Sequence, residues 1–383
     1  MKNRLLPLLI ALIVALLLPA AALSAYDQTW GARLDLNMEL PAIYGSSMAV
    51  NTGNTLSFEY RGTWGREANV QFDGGVAFDG DAMFGLTTGQ DISWHGFFYD
   101  IYPIFDELNF YGHTGMFGYT AGRQVSGDPA GLIFDAPFDG VEGSVDLGEH
   151  IITAGFGLTG LTTRLSSQYY LTEADTKKDG IFSASRILEY AAWNMPAARE
   201  WTGLSAYFLA VQDLTSDADL ASYGTEKFNP LYLELMARGF LTEDFLYSLS
   251  MVGQYGSYGD ASVLAGIGRL EFSWLPGDNS RLGVDILASS GDDWGRVQYL
   301  LGTTAETELY QYIPLSIVST QGYVVEFEVG NLVSLGALYA SRPSRNFSWE
   351  LRTTTFLRSA LGPVSHPWYP PHPTRAASWA RKA

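Results

Sequence analysis

From Trp30 to Leu40 the chain changes character at every residue. The even positions read Trp30, Ala32, Leu34, Leu36, Met38 and Leu40, and between them stand Gly31, Arg33, Asp35, Asn37 and Glu39. The pattern returns in 56–64, where Leu56, Phe58, Tyr60 and Trp64 alternate with Ser57, Glu59, Arg61 and Thr63, and in 69–78, where Val70, Phe72, Val76 and Phe78 face Asn69, Gln71 and Asp73. Later, Leu264, Leu270, Phe272 and Trp274 oppose Arg269, Glu271 and Ser273. Leu282, Val284 and Ile286 alternate with Arg281, Gly283 and Asp285, and Phe347, Trp349 and Leu351 with Ser348, Glu350 and Arg352. A period of two sorts side chains onto opposite faces of a strand and cannot be satisfied by a helix. Segments of about ten residues exceed the usual five or six of soluble sheets.

Which solvent each face meets is decided by composition. Charged residues make up only 17% of the chain, aromatics 14%, and there are 41 Gly; a soluble domain carries about a quarter charged residues. Aromatics stand at strand ends (Trp30, Trp64, Trp274), as interfacial girdles do, and the charged faces carry both signs at close spacing. After the N-terminal segment no apolar run reaches the ~20 residues that a membrane helix needs. Backbone groups in lipid must pair internally, so a closed barrel is the spanning alternative. The expected fold is all-β: a transmembrane, antiparallel, up-and-down β-barrel of about 14–16 strands. Short links at 65–68, 112–115, 148–149, 194–199 and 275–280 alternate with longer polar stretches at 41–54, 80–95, 125–137, 161–181 and 213–227. This is the asymmetry of periplasmic turns and outer loops. Segment 291–330 reads either as one long loop or as an extra hairpin (309–316 with 323–329).

Three zones divide the chain. Residues 1–25 read as a signal peptide: Lys2 and Arg4, an apolar run from Leu5 to Leu18, then Ala20, Ala21, Ala22 and Ala25. Residues 26–362 are the expected outer-membrane barrel of a diderm bacterium. Residues 363–383 form an irregular tail with five Pro and, like the whole stretch from Leu351, no acid. Pro cannot donate to a ladder, so the tail reads as disordered, or as a frameshift product standing in for lost closing strands. The expected partners are outer-membrane lipid and the barrel-assembly machinery.

Strand parity places Arg33, Asp35, Glu59, Arg61, Asp73, Glu142, Asp146, Arg269, Glu271, Arg281, Asp285, Glu350 and Arg352 on the pore-lining face, where opposite charges select small hydrophilic solutes by charge and size. A porin-like channel for passive or facilitated diffusion follows; the alternative is a surface-exposed, adhesin-like barrel acting through its loops. No enzyme is expected. Only His95, His113 and His150 lie in the barrel region, and Ser144 with His150 is the one conceivable Ser–His pair. A less favoured reading as an outer-membrane hydrolase rests on that pair. Acidic pieces at 216–219 and 291–293 could hold Ca²⁺, and equally read as solvated loop tips. No metal or other cofactor is expected. The chain has no Cys, which excludes thiolate sites and disulfides. Its net charge of −18 disfavours a phosphate-neutralising surface, so no nucleic acid is expected as a partner.

Two short stretches carry a family resemblance. Tyr119-Thr-Ala-Gly-Arg-Gln-Val125, followed by Phe138-Asp-Gly-Val-Glu142, resembles porins of the alginate-export type. The resemblance implies an outer-membrane channel for anionic or small hydrophilic solutes, with Arg123 projecting into the lumen and Asp139 at a loop base. The acidic balance of this chain departs from that pattern.

Overall fold

A computed structural model describes residues 27–38, 42–44, 47–64, 68–86, 92–161, 169, 184–197, 202–277, 279–292, 307–316, 329–345 and 347–361. The expected signal peptide and tail lie outside these residues. The chain forms two compact units, Met1–Thr114 with Thr120–Gln124, and Gly115–Tyr119 with Val125–Ala383. No described helix is long and apolar enough to cross a membrane.

The first unit is built from β1 (Asp27–Met38), β2 (Ala42–Tyr44), β3 (Ser47–Trp64), β4 (Ala68–Leu86) and β5 (Ile92–Thr114). β3 pairs antiparallel with β1 over most of its length and with β2 near its start, then with β4, which pairs with β5. The register aligns the alternating series: Trp30 stands opposite Tyr60 and Leu34 opposite Leu56, while Glu59 is flanked by Gly31 and Asp73. β3, β4 and β5 run for 18, 19 and 23 residues. They absorb much of 41–54 and 80–95, which the sequence reading leaves as loops. The Asn, Gly and Asp content there reads as a turn, yet the ladder continues through Asn51 opposite Asp81. Register shifts at Asp73/Gly74 and Met83/Phe84 mark bulges in the β4–β5 ladder, which re-aim a strand locally.

β6 (Phe117–Gly127) follows a turn at Gly115, whose φ of 60° favours glycine. The second unit continues through β7 (Asp135–Asp146), β8 (Ile151–Leu158), β9 (Arg186–Met195), β10 (Gly203–Asp213), helix α1 (Asp217–Tyr223), β11 (Phe228–Thr242), β12 (Phe245–Tyr258), β13 (Ala261–Trp274), β14 (Ser280–Ser289), β15 (Glu308–Leu309), β16 (Leu332–Ser344) and β17 (Phe347–Arg358). From β7 to β14 each strand pairs antiparallel with the next, β14 pairs with β16, and β16 with β17. The two-residue β15 lies parallel to β13. Of seventeen strand segments among the described residues, fifteen are eight residues or longer, within the range the alternation indicates.

Within this second unit one face of the strands is exposed and apolar: Leu231, Leu233 and Leu235 on β11, Leu249, Met251 and Tyr255 on β12, Leu264 on β13. The other face is buried at one end and open at the other. On β10 every second residue from Ser205 to Asp213 is buried, whereas β17 is exposed along nearly its whole length. The buried end lies on the side of the long connections, and the short turns at 147–150, 243–244 and 275–279 stand at the opposite end.

Aromatic rings cover glycines within the buried face. A Cβ on Gly155 would stand 2.2 Å from Tyr190 Cζ, and one on Gly157 would stand 2.3 Å from Phe138 Cδ2. The Phe138 and Tyr190 rings meet edge to face at 5.9 Å. Glycine at these positions makes room for the rings rather than for a turn.

Candidate functional site: the plugged end of the second sheet

The buried end is closed by two chain segments laid against the sheet. The first, 128–135, is organised by Asp128, whose carboxylate accepts hydrogen bonds from the N–H groups of Leu132, Ile133 and Phe134 at 2.8, 2.8 and 2.7 Å. Three donors on one short acidic side chain curl the backbone and present Leu132, Ile133 and Phe134, all fully or almost fully buried, to the sheet. The second segment, 310–316, buries Tyr312, Ile313 and Leu315. The two are bonded together: Tyr312 Oη donates to the Leu132 carbonyl at 2.8 Å, Leu315 N–H to the Ile133 carbonyl at 2.7 Å, and Asp135 N–H to Ser316 Oγ at 2.9 Å.

Gln254 and Tyr232 fasten this plug to the wall. Gln254 Oε1 accepts from Ile313 N–H at 3.0 Å, and its Nε2 donates to the Ile313 carbonyl at 3.1 Å. Tyr232 Oη donates to the same carbonyl at 2.8 Å. A side-chain amide thus pairs with a whole peptide unit, as a neighbouring strand would. Burial pushes the Tyr312 phenol well above the usual tyrosine range.

A polar row crosses the wall beneath the plug. Tyr190 Oη donates to Glu142 Oε2 at 2.6 Å, its ring stacks on Tyr207 at 6.1 Å, and Tyr207 stands directly opposite Glu234. Glu234 is 1% exposed. Among the described residues neither of its oxygens accepts a hydrogen bond of good geometry, and the groups it faces are the Asp128 carboxylate and the Ala130 N–H. At the strand ends Arg186 and Asp213 pair at 3.8 Å with both side chains fully buried. Asp213 also accepts from Thr215, through its N–H at 2.9 Å and its hydroxyl at 2.5 Å.

The open end carries the charge. Arg269 binds Asp285 at 2.8 Å and Glu271 at 2.9 Å, bridging two acids that stand opposite each other on β13 and β14. Arg281 donates to Ser273 Oγ at 2.9 Å, and Arg352 lies 3.4 Å from Glu350. A depression of about 610 Å³ lies beside the short turns, lined among others by Asp244, Arg281, Arg342, Trp349 and Glu350.

The residues singled out by parity are thus distributed unequally. Arg269, Glu271 and Asp285 come together as one ion cluster, and Arg281, Glu350 and Arg352 lie towards the same end. Glu142 lies in the buried polar row. Asp146, the last residue of β7, stands opposite Ile151, is exposed and accepts the Gly148 N–H at 2.8 Å. Arg123 is buried in β6, and Arg61 is exposed near the end of β3. Arg33, Asp35, Glu59 and Asp73 have their register described, with side chains outside the described set. Asp139 opens the β7–β8 ladder opposite Leu158.

Other expectations are redirected. The acidic piece 216–219 is a helix start: Ser216 Oγ accepts the Asp219 N–H, and Asp217 and Asp219 sit in the first turn of α1, where acids favour the helix dipole. In 291–293, Asp292 accepts the Tyr310 N–H. No group of three metal-ligating side chains occurs among the described residues. The extra hairpin in 291–330 is replaced, in its described part, by the buried plug segment. Its second half, 323–328, lies outside the described residues. His150 stacks on Trp193 at 5.8 Å, and among the described residues no hydrogen bond joins it to Ser144.

Sequence reasoning missed Asp128, Arg186, Tyr190, Tyr207, Asp213, Tyr232, Glu234, Gln254 and Tyr312. A signal was present. In β9 to β12 the alternation is weak because both parities are rich in apolar and aromatic residues, as in Leu231-Tyr-Leu-Glu-Leu-Met-Ala237. An inner face that is apolar as well calls for an apolar cover, here Leu132, Ile133, Phe134, Tyr312 and Ile313.

No family model and no curated protein matches the chain. Among solved structures it is similar to Pseudomonas aeruginosa OccK7 (OpdD), with a TM-score of 0.55 at 11% identity over 88% of this chain and 86% of that one. It is also similar to OccK5 (OpdH) of the same organism, with a TM-score of 0.49 at 14% identity over 90% of this chain and 85% of that one. The likeness to the first of these shows the fold, an antiparallel β-barrel.

Proposed function

We propose that this chain is an outer-membrane channel through which small hydrophilic solutes diffuse, with no chemical step. The observation that carries the reading is the pairing of two opposite surfaces on one sheet. The exposed face of β11–β13 bears Leu233, Leu235, Met251, Tyr255 and Leu264 without a charge between them, as lipid demands. The other face of β13 and β14 holds the Arg269–Glu271–Asp285 cluster. Charged side chains at membrane depth are costly against lipid and belong to a wet interior. The signal peptide at 1–25 supports export, and the assembly machinery of the outer membrane would then insert the barrel. The likeness of 119–125 and 138–142 to alginate-export porins would favour an anionic solute; the net charge of −18 argues against one.

The test is conductance of the purified, folded protein in planar bilayers, with heat-modifiable migration on gels as the check of folding. Stepwise current increments are expected. A folded barrel that inserts and carries no current would overturn the reading.

A further inference from the structure

We propose that Glu234 and Asp128 form a proton-bridged latch that holds the 128–135 segment against the wall, and that its release on deprotonation widens the passage. The second half of this inference rests on the channel reading; the latch itself does not.

The argument starts from donors and acceptors. Asp128 spends both oxygens on three backbone N–H groups, so it acts as an acceptor throughout. An ionised Glu234 would be an acceptor too. The two carboxyl groups face each other in a place where Glu234 is 1% exposed and neither of its oxygens has a well-formed bond. Two like charges in such a site repel strongly even with the Ala130 N–H facing Glu234, and a shared site of this kind keeps one proton. With that proton, Glu234 becomes the missing donor: its O–H points to Asp128, and the wall strand is tied to the loop that carries Leu132, Ile133 and Phe134.

The surroundings leave the proton as the agent. From β10 the facing group is the Tyr207 hydroxyl, that residue being 3% exposed and its hydroxyl without a hydrogen-bond partner among the described residues. From 310–316 it is Tyr312, and from β7 Glu142 reaches the row through Tyr190. Arg186, the cation that acts on this row at Tyr232, is engaged by Asp213. Removing the proton therefore adds a negative charge among acids and phenols. Because 128–135 is bonded to 310–316 through Leu132 and Ile133, displacing one segment loosens the other.

The experiment compares the wild-type chain with Glu234→Gln, whose amide donates to Asp128 without titrating. Bilayer conductance and amide hydrogen exchange at Leu132, Ile133 and Phe134, corrected for intrinsic rates, are followed from about pH 5 to about pH 10, the range between carboxyl and tyrosine titration. In the wild type both rise towards alkaline pH, no more steeply than about tenfold per pH unit, as release of one proton dictates. In E234Q both are flat. Wild-type exchange that stays flat, or an equal rise in E234Q, overturns the latch. Exchange that behaves as expected in a barrel that never conducts keeps the latch and removes the channel. Should E234Q fail to fold, the wild-type infrared spectrum decides: a neutral carboxyl stretch lost at alkaline pH supports the latch, and its absence at neutral pH overturns it.

Discussion

Arg186→Met should destabilise this protein strongly, and Arg186→Met combined with Asp213→Leu should largely restore it. The two residues stand opposite each other in the β9–β10 ladder, 3.8 Å apart, with both side chains at 0% exposure. Among the described residues Asp213 Oδ2 accepts no hydrogen bond and lies 3.8 Å from the Arg186 guanidinium, so it depends on that charge in a dry site. Removing one member of such a pair leaves a buried, uncompensated charge, at a cost of about 3–5 kcal/mol. Replacing both by apolar residues of similar volume costs about 1 kcal/mol or less. Asp213 also holds Thr215 through two hydrogen bonds, so Asp213→Leu alone should fall at the upper end of that range. The coupling read from the cycle should therefore be about 3 kcal/mol or more. The assay is reversible urea unfolding in detergent or vesicles, followed by tryptophan fluorescence. Single variants whose effects simply add in the double variant would refute the reasoning, because the charges would then be solvated independently.

Asp128→Ala should leave three buried N–H groups without an acceptor, at about 1–3 kcal/mol each, and should abolish exchange protection at Leu132, Ile133 and Phe134 before global unfolding. Gly157→Ala drives a methyl to within 2.3 Å of the Phe138 ring, so the mutant should unfold at lower urea, by about 1–3 kcal/mol, as overpacked cores do; the joint variant with Phe138→Leu should recover part of the loss. Replacing Glu271 and Asp285 by Gln and Asn leaves Arg269 without its two acids and should shift the reversal potential in a salt gradient towards anions. Tyr312 is buried with its phenol raised above the value of the unfolded chain, so its contribution is complete below about pH 10 and is lost as pH climbs towards the folded-state value. Unfolding midpoints should fall in strong alkali, and less so in Tyr312→Phe.

The alternation of β1, β3, β4, β13, β14 and β17 was legible because each strand reports its two surroundings through its own residues. The Arg269, Glu271 and Asp285 cluster was accessible on the same ground: parity put all three on one face, and cross-strand register brought them within bonding distance. The plug was not. Tyr312 and Leu132 are 180 residues apart and Gln254 and Ile313 are 59 apart, and no local pattern announces such a meeting. Asp128 looked like an ordinary loop acid in Gly127-Asp-Pro-Ala130, and Glu234 like a lone acid interrupting an apolar strand.

Taken alone, the amino-acid order determined that the chain forms long antiparallel strands, about fifteen of them, with one apolar face and another for charge, since a two-residue period is a property of each strand by itself. Only the tertiary structure decided that the second face divides into an open charged end and an end covered by 128–135 and 310–316. What fills a concave surface depends on which distant backbone reaches it and finds its hydrogen-bond partners there, and that choice is made between segments, not within one.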